Sequence, residues 1–301
     1  MLLALWVRPC LAVTITVKNL DDPGEGFNDP TFALPVGGNT GKTLGQQRLK
    51  VFQYAADAWG MRLVGTVPVI VGASFDSMGG TATMATLGGA GARTLHDNFS
   101  GAERADTWYV AAVANQQRGL DLNGSEVEIS GAFNSDVDDP EVLGDIGFYY
   151  GLDGNHGANI DFLTVVLHEI AHGLGFLDLM DPDTGAKFNG KNDAYMVWLQ
   201  DPKISPASLS EMNDMKRQMA MLDTGSLYWF GPAVRRAGPD VCAQSLRIRF
   251  VHLAFRRHAD PQRIDGAVRD DGVARSAPDD STPRRCRLDS SARSGMRGRQ
   301  R

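Results

Sequence analysis

A single apolar segment, Asp161–Gly173, reading DFLTVVLHEIAHG, constrains the fold more than any other stretch of the chain. Phe162, Val165, Val166 and Ile170, with Leu163 and Leu167 flanking, give it the spacing of a buried helix. Asp161 stands where an N-cap carboxylate belongs, and Gly173 and Gly175 follow where the helix must stop. Yet this apolar helix carries His168, Glu169 and His172. Two imidazoles and a carboxylate inside it cost free energy unless they are paired, hydrogen-bonded or bound to a metal.

His168 and His172 are four residues apart, so both rings leave one helix face about one turn apart. That spacing lets two nitrogens reach one Zn²⁺ at ~2.0–2.1 Å. Glu169, beside the first ligand, can take a proton from a metal-activated water and pass it to a leaving amine. With six His and seven Glu in the chain, this pattern arises by chance in roughly three of a thousand shuffled sequences. The alternative of two hydrogen-bonded core histidines therefore ranks second, and the residues predict peptide-bond hydrolysis without a covalent intermediate. A catalytic zinc site wants a third protein ligand. Gly175 and Asp178 continue the motif as HExxHxxGxxD, which makes Asp178 the local candidate; its other reading is a loop acid, since Asp181 and Asp183 follow. Glu211, the only later glutamate, lies in a polar stretch without supporting context.

Around this helix the pattern predicts an α+β domain. Val13–Val17 reads as a strand, 21–40 as a long loop, and Thr43–Leu63 as an amphipathic helix through Leu44, Val51, Phe52, Ala55, Ala56 and Trp59. Val67–Val71 and Val127–Phe133 read as strands, and Ala105–Arg118, Asp193–Leu199 and Ser208–Leu222 as helices, the last capped by Ser208 or Ser210. Phe148–Asn155 is a turn-rich connector. Gly79–Ala92, rich in Gly, Ala and Thr, gives no signal. Val127–Phe133 is open to two readings: an edge strand above the site, able to pair with an extended substrate, or an internal core strand.

Composition divides the chain. It is 43% hydrophobic and 22% charged with net charge -6, which excludes collagen, coiled coil and a chain disordered throughout. Residues 241–301, however, hold fourteen Arg and seven Asp but no Lys, Glu, Trp or Tyr. Such a tail, without aromatic interleaving or helical period, is expected to be disordered and gives no expectation of nucleic-acid binding. Cys10, Cys242 and Cys286 form neither a disulfide framework nor a cysteine zinc site. Residues 1–12 read as a truncated export signal, with Leu2–Val7 as a short apolar run interrupted at Arg8. The alternative there is a buried first strand. No later run reaches the ~18 apolar residues of a membrane span.

The segments NLDDPGEGFNDP, TLGQQRLKVFQYAADAWG and GFYYGLDGNHGANIDFLTVVLHEIAHGLGF resemble secreted bacterial HExxH metalloproteases, a group similar to the leishmanolysin branch of the metzincins. The resemblance covers residues 13–238. It implies a metzincin-like fold, with the active-site helix packed under a small mixed sheet, in a secreted or extracytoplasmic zinc endopeptidase acting on peptides or proteins. It implies His168 and His172 as zinc ligands and Glu169 as general base. It also implies that the third ligand is a downstream His in a Ser-His-aromatic segment ahead of an E-L-M-x-P stretch, which would leave Asp178 a bystander. Neither segment is present; His252 and His258 have other surroundings. Permissible codons for Phe250–Val268, read one nucleotide later, spell SSISHFDATLTPNELMEP. A one-nucleotide frameshift near Gly238 therefore accounts for residues 239–301 as an out-of-frame tail and for a missing C-terminal layer. Activity of this exact chain is expected to be impaired. The alternative function is an inactive secreted protein that keeps the fold as a binding module.

Overall fold

The computed structural model describes residues 12–223 and 226–231, with the backbone of 256–257 and 264–265 besides. Residues 1–11, most of the stretch read as a truncated export signal, together with His252, His258 and the rest of the Arg-rich tail, lie outside the described residues. Strand β1 (Ile15–Asn19) leads through a long loop to helix α1 (Leu44–Gly60), then β2 (Val69–Asp76), β3 (Gly88–Ala92), β4 (Leu95–His96) and β5 (Thr107–Val110). Helix α2 (Ala111–Arg118), β6 (Ile129–Asn134), β7 (Phe148–Tyr149) and β8 (Ile160–Asp161) precede α3 (Phe162–Gly173). After it come β9 (Asn192–Asp193), β10 (Leu199–Gln200), α4 (Asp214–Leu222), β11 (Tyr228–Trp229), and a two-residue pair β12 (Arg256–Arg257) and β13 (Ile264–Asp265). The chain is α+β. No described helix is long and apolar enough to cross a membrane.

The main sheet has the order β1-β2-β6-β3, with β1, β2 and β6 parallel and β3 antiparallel at the edge. Helices α1 and α3 pack against each other; α1 also meets β1, and α3 meets β3 and β6. Helix α1 forms where expected because Thr43 caps it, its hydroxyl accepting from the Gln46 amide, and because Val51, Phe52, Ala55 and Ala56 are wholly buried. Phe52, Phe75, Phe133, Phe148 and Phe162 join these layers in edge-on and tilted ring contacts.

Several elements depart from the sequence-based expectation. Val127–Phe133 is not the edge: its strand, β6, lies between β2 and β3, and the edge is Gly88–Ala92, inside the stretch that carried no signal. Ala105–Arg118 is helical only from Ala111, because Thr107–Val110 pairs with β4 and β9. Asp193–Leu199 forms no α-helix; the Asp193 carboxylate accepts the amides of Tyr195 and Met196 and closes a tight turn instead. Ser208 does cap, in a reciprocal box with Glu211, but the helix proper starts later under Asn213. A second apolar cluster, including Met196, Leu199, Leu209 and Met221, holds this C-terminal part together.

Candidate metal centre

Helix α3 presents the three sequence-predicted residues as one group. The imidazole nitrogens of His168 and His172 and a carboxylate oxygen of Glu169 lie within 4.8 Å of one another. His168 is exposed, His172 buried, and Glu169 only 2% exposed. The two rings stand edge to face with their Nε2 atoms 3.0 Å apart. Two nitrogens on a tetrahedral zinc are separated by about 3.3 Å at ordinary Zn–N lengths. At 3.0 Å the two nitrogens are within hydrogen-bond distance of each other and a little closer than on zinc, so the pair could hold a small cation with a slight opening.

The chain just after the helix sets this orientation. The Gly175 amide donates to the His172 carbonyl and the Phe176 amide to the Ala171 carbonyl, with Gly175 at φ +100°, so α3 ends in a Schellman turn. That turn brings the Phe176 carbonyl 3.0 Å from His172 Nδ1, which donates to it. With Nδ1 carrying the proton, Nε2 keeps its lone pair for a metal. The Phe176 ring packs on Trp59, whose Nε1 donates to the Leu167 carbonyl, tying the turn to α1. Asp161 sits at the N-cap position, though its carboxylate accepts from the Thr164 hydroxyl rather than from a helix amide.

Glu169 reaches the edge of the sheet, where one carboxylate oxygen accepts the Ala90 backbone N–H at 2.7 Å. No residue-level signal marked this contact, because its donor is a main-chain group in a run of Gly and Ala. The strand is built of small residues for steric reasons. A Cβ on Gly131 would stand 2.8 Å from that of Ala90, and one on Gly88 2.6 Å from the Phe133 ring.

Asp178 is not brought into the group. Among the described residues the metal-ligating cluster holds His168, Glu169 and His172 alone. The Asp178 carboxylate is buried, accepts the Met180 amide, and lies in the field of Asp193. Burial, with the Asp193 charge adding to it, pushes the Asp178 carboxyl up to about 7; burial pushes Asp193 up to about 6. Asp193 also lines a cavity of about 250 Å³ behind the turn, walled by Trp108, Phe176, Tyr195, Trp198 and Trp229. Neither the cavity nor Asp193 carried a sequence signal. Comparison with known protein families, curated proteins and solved structures finds no match.

Proposed function

We propose that the chain is a metzincin-like, zinc-dependent endopeptidase acting on peptides or proteins outside the cytoplasm. The observation that carries this reading is the convergence of His168, Glu169 and His172 on one face of α3, beside a sheet edge that has no neighbouring strand among the described residues. His168 and His172 would hold the metal through Nε2. When bound, zinc supplies Lewis-acid polarisation of a scissile carbonyl and acidifies water. Glu169 takes the proton and delivers it to the departing amine, a role that fits a carboxylate fixed within reach of the metal ligands. The outward-facing edge of β3 can align an extended substrate by main-chain hydrogen bonds. Burial of Glu169 under that edge limits its contact with bulk water.

A single substitution tests the reading. Glu169→Gln keeps the size of the side chain and removes its basicity. It is expected to cut peptide cleavage on the order of a hundredfold or more while leaving zinc binding intact. The grouping of only two imidazoles favours a second reading, a non-catalytic binding module. Absence of cleavage both by this chain and by one with its frame restored after Gly238, each supplied with zinc, would support that module.

A further inference from the structure

The geometry points to the backbone amide of Ala90 as the group that positions Glu169, a role that rests on the endopeptidase reading and locates its base on the substrate-binding edge. The direction of the amide follows from the ladder. Leu87 accepts from the Asn134 amide and Arg93 donates to the Glu128 carbonyl, so odd-numbered residues of this stretch turn their polar groups toward β6 and its approach. Gly89 and Gly91 share that parity; Gly88, Ala90 and Ala92 therefore direct theirs to the open edge. Of these, the Ala90 N–H is taken by a Glu169 oxygen.

Three consequences follow. The carboxylate of a side chain 2% exposed takes a hydrogen bond from the Ala90 N–H, which fixes its rotamer. A substrate strand laid along β3 finds the Ala90 amide already engaged, so it must pair through the Ala90 carbonyl and the flanking amides. Its backbone is thereby set in register with the carboxylate, because both are referred to the same residue. Ala90 is a positioning residue; it acts through Glu169 and contributes no side-chain chemistry.

Amide exchange in the full chain, resolved residue by residue by NMR, tests the contact without needing activity. Gly88, Ala90 and Ala92 share the edge and are all buried, so the Glu169 bond is what sets Ala90 apart, and its amide is expected to exchange on the order of tenfold or more slower than theirs. Glu169→Ala should abolish that protection while Gly89 and Gly91, bonded to β6, keep theirs. Free exchange at Ala90 in the wild type, or protection that survives Glu169→Ala, overturns the proposal. If Glu169→Ala also strips Gly89 and Gly91, the sheet itself has failed, and the Ala90 amide proton in Glu169→Gln decides. It moves upfield with the weaker acceptor, and an unmoved signal overturns the contact. Ala90→Pro removes the donor and puts a ring methylene where the Glu169 oxygen now sits 2.7 Å from the nitrogen, so the carboxylate is displaced as well. It is expected to lower kcat about tenfold with KM little changed, and an unaltered kcat denies the positioning role. Should no form of the chain cleave any peptide, the endopeptidase reading falls while the exchange data still decide the contact.

Discussion

At position 178 the chain has a carboxylate where the local motif asks for a third ligand, and the fold turns it elsewhere. Asp178 and Asp193 are buried near one another, and both carboxyls are raised, to about 7 and about 6. A carboxyl whose folded pKa exceeds its unfolded value of 3.8 holds its proton better in the folded chain. Its stabilising contribution is complete below pH 3.8 and is lost as pH climbs to about 7. Asp178→Asn retains an acceptor for the Met180 amide and cannot ionise. Thermal melts should show it several degrees more stable than wild type at pH 8 and equal to it at pH 4, with zinc affinity unchanged. A parallel pH dependence would deny the buried charge, and loss of zinc binding would return Asp178 to the ligand set. His168, Glu169 and His172 were legible because residue type and four-residue spacing are local properties. The Phe176 carbonyl and the Ala90 amide were not, since main-chain atoms leave no mark on composition.

Helix α3 and its stop were readable for the same local reason; what the helix rests on was not. Gly173 lies so close to β6 that a Cβ there would stand 2.4 Å from Ile129. Gly173→Ala should cost ~1–3 kcal/mol in chemical denaturation through overpacking. Adding Ile129→Ala should recover part of that cost, and strictly additive losses would mean the two do not touch. Gly175 plays a different part. At φ +100° an alanine is strained, so Gly175→Ala should cost about 1 kcal/mol. It should also weaken zinc binding, because the turn that carries the Phe176 carbonyl to His172 is displaced. Strand β3 escaped notice because close packing against α3 and β6 leaves room for little beyond Gly and Ala, residues that read as loop. Asp193–Leu199 misled in the opposite direction: its apolar residues fill the second cluster from a turn and a short strand rather than from a helix.

Across the whole molecule, the main core and the C-terminal cluster meet around the turn after α3, where Tyr195 packs on both Phe176 and Trp229. The described chain passes Trp229, a wall of the cavity behind that turn, two residues before Gly231. Beyond it the amino-acid sequence changes character, and the shifted reading of Phe250–Val268 offers a further His for the metal centre proposed on α3. On the zinc reading, ligand count governs how strongly the metal would stabilise the chain. A ligand that binds only the folded state adds RT ln(1 + [L]/Kd) to its stability. Two imidazoles would hold zinc weakly, and a third protein ligand should tighten it at least a hundredfold, worth about 2.7 kcal/mol at saturating metal. Melting temperature followed against zinc concentration should therefore rise little for the chain as written. It should rise steeply for a polypeptide whose frame is restored after Gly238, with chelator reversing the gain. A restored polypeptide no more responsive to zinc than the present one would place any third ligand outside that segment, and would leave the metal reading resting on the His168, Glu169 and His172 group of α3 alone.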